Sequence, residues 1–151
     1  MAAKTILLDT GPLGIAANPR TSPATEAFNR WLFAQVGQAA LICIPEVADH
    51  EVRRELIRGQ RFNSLRKLDI LQVRFAYLPI TTRVMRHAAE LWAQARNLGK
   101  PGADSLSLDG DVIIAAQASL LQQDGDDVIV ATTTPRHFVH LVPASNWQDI
   151  A

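Results

Sequence analysis

One cysteine, four histidines, no net charge and no long apolar run set the first limits on this 151-residue sequence. The lone Cys43 cannot form an internal disulfide, and its place inside the apolar run 40–44 reads as a buried strand position. No run is long enough to cross a bilayer. Residues 1–4, followed by a short apolar stretch broken at Asp9, lack the basic and hydrophobic regions of a signal peptide. The expectation is a reduced, cytoplasmic protein with no membrane contact. Neither a G-x-G-x-x-G stretch nor a lysine-containing phosphate loop is present, which sets aside the common nucleotide-binding signatures. What is there, 48% hydrophobic and 20% charged residues, suits one compact domain over 1–151 with an ordinary core, and a second full domain would not fit.

Zero net charge conceals an uneven distribution. Residues 51–74 carry seven basic residues (Arg53, Arg54, Arg58, Arg61, Arg66, Lys67, Arg74) against three acids, a net of +4. Residues 101–127 carry six aspartates and no Lys or Arg, a net of −6. The first segment is suited to phosphates and the second to cations, although two solvated helix faces would show the same imbalance.

Hydrophobic periodicity divides the chain into alternating strands and helices. Residues 4–8 form an apolar run that ends at Asp9-Thr10-Gly11-Pro12, a strand stopping at a helix start. A Ser-Pro opening leads into a helix over 22–37 with Ala27, Trp31, Leu32 and Val36 inward, and 40–44 is the next buried strand. Pro45 opens a helix to about Arg58, and 61–74 reads as an amphipathic helix with Phe62, Leu65, Leu68 and Leu71 inward. A short extended piece at 77–80 precedes a helix capped by Thr81 or Thr82, with Val84, Met85, Ala88, Leu91, Trp92 and Ala95 on its core face and Gly99 at its end. After a polar loop, a helix runs from Asp109 to about Gln123, with Asp109 a natural N-cap. A strand follows at 127–131 and a last apolar, strand-like stretch at 138–142. Strands separated by helices predict an α/β fold, a mostly parallel sheet of about four to five strands with helices on both faces.

In such sheets, ligands gather at the carboxyl ends of the strands, which selects Asp9, the start of the Pro45 helix and the segment 132–134. The candidate constellation is acids with almost no histidine, and an all-oxygen site suits Mg²⁺ or Mn²⁺ better than zinc. Ile6-Leu7-Leu8-Asp9-Thr10-Gly11-Pro12-Leu13 resembles the opening strand of PIN domains, including VapC-type toxins. Ile44-Pro45-Glu46-Val47-Ala48-Asp49-His50-Glu51-Val52 is similar to the second segment of that family, with Glu51 the best match for its helical acid. Asp111-Val112-Ile113-Ile114-Ala115-Ala116 resembles the third, an acid followed by an apolar, Ala-Ala-containing helix. Val128-Ile129-Val130-Ala131-Thr132-Thr133-Thr134 is similar to the closing strand, except that Thr134 stands where the family has an acid or amide.

The resemblance implies a PIN-like domain that works as a metal-dependent endoribonuclease on single-stranded RNA, leaving a 5′-phosphate and a 3′-hydroxyl. Asp9, Glu51 and Asp111 would hold one Mg²⁺ or Mn²⁺, with Asp109, Thr134 or Thr10 holding a second ion or orienting water. Relatives in the toxin branch form homodimers and are neutralised by a small antitoxin protein, so both partners are expectations here. Arg53, Arg54, Arg58, Arg61 and Lys67 are the candidates for RNA backbone contacts. The alternative is a catalytically weak or inactive PIN-fold module that binds RNA or protein, which the uncharged Thr134 favours.

Other polar residues have plainer readings. Glu46 suits the dipole at a helix start, Asp49 pairs with Arg53 four residues on, and Asp104 sits in a polar loop. Asp-Thr-Gly at 9–11 is also an aspartic-protease signature, but that motif needs an all-β setting. His137 and His140, on opposite faces of a strand-like stretch, do not form a metal site, and Trp31, Trp92 and Trp147 read as packing residues.

Overall fold

The computed structural model describes residues 4–99 and 108–151. The polar loop ahead of the sixth helix, including Asp104, lies outside them. Five strands, β1 (Lys4–Leu8), β2 (Leu41–Pro45), β3 (Ala76–Leu78), β4 (Asp127–Thr132) and β5 (Ala144–Asn146), form one sheet in the order β3-β2-β1-β4-β5. Every pairing is parallel, with Ile6 opposite Ile42 on one side and Ile129 on the other. Ile6, Leu7 and Leu8 point alternately to the two faces, yet all are fully buried, so both faces of the central strand are covered. The expected α/β layering is therefore present, and the sheet is wholly parallel.

Six helices connect the strands: α1 (Thr10–Ala17), α2 (Pro23–Gly37), α3 (Glu46–Arg58), α4 (Phe62–Arg74), α5 (Thr82–Asn97) and α6 (Leu108–Gln123). Their starts follow local chemistry. Asp9 caps α1 through its side chain, Ser22 and Thr25 form a reciprocal capping box on α2, and Thr81 caps α5. Opposite the sheet edge, Phe28, Trp31 and Trp147 pack at ring centroid separations of 5.2–5.8 Å, and Trp31 Nε1 donates to the Ile150 carbonyl at 2.9 Å. This cluster joins α2 to the C-terminal turn.

The fold corrects several residue-level expectations. The buried stripe of α2 is Thr25, Phe28, Leu32 and Gln35, so Val36 falls outside it and is exposed. Phe62 is the first residue of α4 and projects into solvent before the helix reaches its packing partners. On α5 the core stripe is the narrower set Val84, Ala88, Leu91 and Ala95, which leaves Met85 and Trp92 on its rim beside α6. The stretch after β4 is not extended. Residues Pro135–Phe138 form a 3-10 turn, and β5 begins only at Ala144, because Phe138 is fully buried as an anchor while its neighbours turn. Helix α6 starts one residue before Asp109, which is therefore an exposed first-turn residue rather than the cap.

Candidate functional site

The strand order reverses at β1. The chain steps from β1 outward to β2 and β3, then crosses back to β4 and β5. In parallel sheets the crevice beyond the carboxyl ends of the two strands at this reversal is the natural ligand site. Here those strands are β1, which ends at Leu8 just before Asp9, and β4, which ends at Thr132.

Asp9 is nearly buried, with 7% exposure, and is fixed from both strands. Its Oδ1 accepts from the Thr10 amide at 2.8 Å, its Oδ2 accepts from the Thr132 hydroxyl at 2.7 Å, and its own amide donates to the Ala131 carbonyl at 2.9 Å. A carboxylate has about four lone-pair sites, so these two donors orient Asp9 without filling it. Glu51 reaches the same crevice from the second turn of α3. Its Oε2 accepts from the Thr10 hydroxyl at 3.0 Å, and its Oε1 lies against Gly110, where an added Cβ would collide with it. Gly110 therefore permits close approach of α3 to the first turn of α6. Asp111, buried in that first turn, has Oδ2 3.1 Å from Nδ1 of His137. Thr134 completes the rim, its amide donating to Thr132 Oγ1 at 3.0 Å and its hydroxyl 3.4 Å from the same atom.

Thr10 thus links Asp9 to Glu51, Thr132 links Asp9 to Thr134, and the contact of Glu51 with Gly110 brings α3 beside the first turn of α6, where Asp111 faces His137. Asp109 points elsewhere, lining a groove with Met85, Ala88 and Trp92 between α5 and α6. The positioning residues Thr10, Thr132 and His137 are what the sequence shows least well. Thr10 and Thr132 lie inside the motifs, but their partners are 41 and 123 residues away. His137 was hidden by the extended reading of its segment, and no spacing signal pairs it with Asp111.

Among the described residues, no three His, Cys, Asp or Glu side chains converge closely enough to enclose an ion. The donor chemistry nevertheless fits a hard divalent cation: carboxylates and hydroxyls, with unfilled lone pairs on Asp9. Helices α1, α3 and α6 also begin at this edge, and their N-terminal dipoles favour the carboxylates they carry. Cys43 is no competitor for the chemistry, since burial, with Asp126 adding to it, pushes its thiol up to about 11.

The other acids of α3 are committed to the fold. Glu46 accepts from the Ile80 amide at 2.8 Å and the Tyr77 hydroxyl at 2.7 Å, and those donors hold its carboxyl below the usual range. Asp49 binds Arg53 through two contacts of 2.9 and 3.2 Å, and Arg53 also reaches Asp69 at 2.8 Å, which holds the guanidinium firmly protonated. The basic candidates consequently differ. Arg53 is clamped, Arg58 pairs with Glu55 at 2.7 Å, and Lys67 donates to the Asn18 carbonyl at 3.2 Å, while Arg54 and Arg61 are exposed.

Among curated proteins, no sequence matches the chain. Solved structures do. VapBC2 from Rickettsia felis, bound to a DNA fragment from its promoter, aligns with a TM-score of 0.73 at 16% identity, covering 95% of this chain and 98% of that one. VapBC-1 from nontypeable Haemophilus influenzae aligns at 0.64 and 17% identity, over 96% and 99% of the two chains. DNA-bound VapBC from Salmonella typhimurium aligns at 0.60 and 20% identity, over 97% and 99%. At these identities the likeness is one of fold. The PIN domain family matches the sequence itself over residues 6–132, and by that match the chain belongs to the PIN domain family.

Proposed function

We propose that this protein is a metal-dependent endoribonuclease that hydrolyses single-stranded RNA at the β1/β4 crevice. The observation that carries the reading is the bridge at Thr10, whose amide holds Asp9 and whose hydroxyl holds Glu51, bringing the acid after β1 and the acid of α3 together beside the first turn of α6, which carries Asp111. Asp9, Glu51 and Asp111 are the residues that would hold Mg²⁺ or Mn²⁺. When bound, the ion would supply hydroxide near neutral pH and charge stabilisation for phosphodiester hydrolysis.

The chain's own residues position and exclude. Thr132 and the Thr10 amide fix Asp9, the Thr10 hydroxyl fixes Glu51, and His137 orients Asp111 as a second layer behind a ligand. Thr134 offers a hydroxyl for water. Exposed Arg54 and Arg61, which make no ion pair among the described residues, are available for backbone phosphates, whereas Arg53 and Arg58 serve mainly their carboxylate partners. By analogy with the VapBC assemblies of the similar structures, the protein is the toxin of a toxin-antitoxin pair and binds an antitoxin protein; the homodimer and the cytoplasmic setting are carried over from the resemblance of its motifs to the toxin branch.

A second reading, a weak or inactive RNA- or protein-binding module, is favoured by Thr134, which adds no charge where the resemblance has an acid. One experiment separates them: incubation of end-labelled single-stranded RNA with Mn²⁺, Mg²⁺ or EDTA. Cutting that needs the ion supports the nuclease, and binding without product at any ion concentration supports the module.

A further inference from the structure

We propose that the polar pocket at the start of α4 is an anion site that takes a phosphate of the RNA strand flanking the one to be cut, an inference that rests on the ribonuclease reading above. The pocket, about 380 Å³, lies between the α1–α2 connection, which supplies Asn18 and Arg20, and the start of α4, which supplies Arg61, Asn63 and Ser64. No acid lines it. Helix α4 begins at Arg61 with no side-chain cap and no acid in its first turn, and among the described residues the amides of Phe62, Asn63 and Ser64 have no acceptor. Such an end attracts anions through its open amides and its dipole.

A second, independent feature points to a ligand. Ser64 is only 8% exposed and faces this pocket, yet its hydroxyl makes no hydrogen bond to any described residue. The residue is packed while its hydroxyl oxygen stays open for a ligand. Two exposed guanidiniums, Arg20 and Arg61, flank it, and neither is engaged in an ion pair among the described residues. Open amides, a waiting hydroxyl and two guanidiniums together suit an anion with several acceptor oxygens, which is the chemistry of phosphate.

Placement favours a nucleic-acid phosphate over an acidic protein segment. Helix α1 starts at the Asp9 cap and ends beside the pocket at Asn18, and it packs against α3 and α4. Two turns of helix span about 10 Å, so a strand lying across the carboxylate edge passes the pocket within a short run of nucleotides.

The test is an amide NMR titration of the intact protein in EDTA, first with inorganic phosphate and then with a short single-stranded RNA. Both are expected to shift the amides of Phe62, Asn63 and Ser64. A variant carrying Arg20→Ala and Arg61→Ala should bind RNA about tenfold more weakly, with the slope of log K against log salt shallower by about 0.7 for the lost phosphate. Ser64→Asp, which places a helix-favouring acid in the first turn of α4 and fills the site, should leave the melting temperature unchanged or higher while abolishing both sets of shifts. If phosphate leaves these amides unmoved, the inference fails. If RNA binds with these amides unmoved, the pocket is off the RNA path and the ribonuclease reading stands without it. If phosphate shifts them but RNA binds nowhere, both readings fall and the pocket belongs to another anion, such as an acidic partner segment.

Discussion

Glu46 and Glu51 sit on the same helix at the same edge of the sheet, and their surroundings divide them. Glu46 receives a backbone amide and a phenol from the β3–α5 corner, which turn its carboxylate toward that corner. Glu51 receives one threonine hydroxyl and faces the glycine at the start of α6, beside the crevice that Asp9 and Asp111 also border. Both are glutamates of α3, so what separates them is direction: Glu46 is held at the β3–α5 corner, and Glu51 is held at Thr10 beside Asp9. Asp49 strengthens the contrast: it is buried like Asp9, but it holds Arg53 while Asp9 holds only neutral donors.

The sharpest way to break this contrast is to remove charge on each side. Asp9→Asn and Asp111→Asn should each lower RNA cleavage by about 100-fold or more, the scale of losing one preorganised electrostatic contact, with the melting temperature little changed. Cleavage near the wild-type rate in either variant would dissolve the distinction. On the other side, Glu46→Ala should cost about 2 kcal/mol in urea unfolding, the range for hydrogen bonds to a charged group, while cleavage per folded molecule stays near wild type.

The Glu46 contribution also has a pH signature. The Ile80 amide and the Tyr77 hydroxyl hold its folded carboxyl below the ordinary glutamate value of 4.5, so the stabilisation is complete above that value and fades as acid protonates the folded form. Tyr77 behaves oppositely. Burial first, then the Glu46 bond, raise its phenol from 10.0 to about 12, so its stabilisation is complete below 10 and is lost as pH rises toward 12. The difference in unfolding free energy between wild type and Glu46→Ala should therefore be flat at intermediate pH and shrink below 4.5. A difference that grows in acid would contradict the assignment.

Smaller effects probe the crevice. Gly110→Ala forces the flexible end of Glu51 aside and should lower cleavage about tenfold, equivalent to about 1.4 kcal/mol of barrier, with stability changing less because no backbone blocks the new methyl. Thr134→Asp adds a carboxylate at the rim and should tighten Mn²⁺ binding by a few-fold in calorimetry. Unchanged affinity would place Thr134 outside the ion's reach.

The layered order of elements was legible because each depends on local pattern: apolar runs for β1, β2 and β4, and side-chain caps at Asp9, Ser22 and Thr81. Asp9 was legible because it closes β1, and Asp111 because it lies in the first turn of an apolar helix, whereas Glu51, inside α3, was singled out only by the resemblance of its segment. Less visible was anything set by packing between distant segments. The exposure of Phe62, Met85 and Trp92 depends on where neighbouring helices end, and the turn after β4 depends on the burial of Phe138. The bonds from Thr10 to Glu51, Thr132 to Asp9 and His137 to Asp111 leave no periodic trace, since the sheet order alone brings their partners together. Arg53 shows the same limit from the opposite side: one partner is four residues away on its own helix and the other, Asp69, belongs to α4.

The most direct test of the central claim is one cleavage assay on end-labelled single-stranded RNA with Mn²⁺, comparing wild type, Asp9→Asn, Asp111→Asn and Glu46→Gln, all verified as folded. The account predicts ion-dependent cutting by wild type and Glu46→Gln and its loss in both aspartate variants. Equal loss in all three variants, or cutting that persists in EDTA, would contradict it.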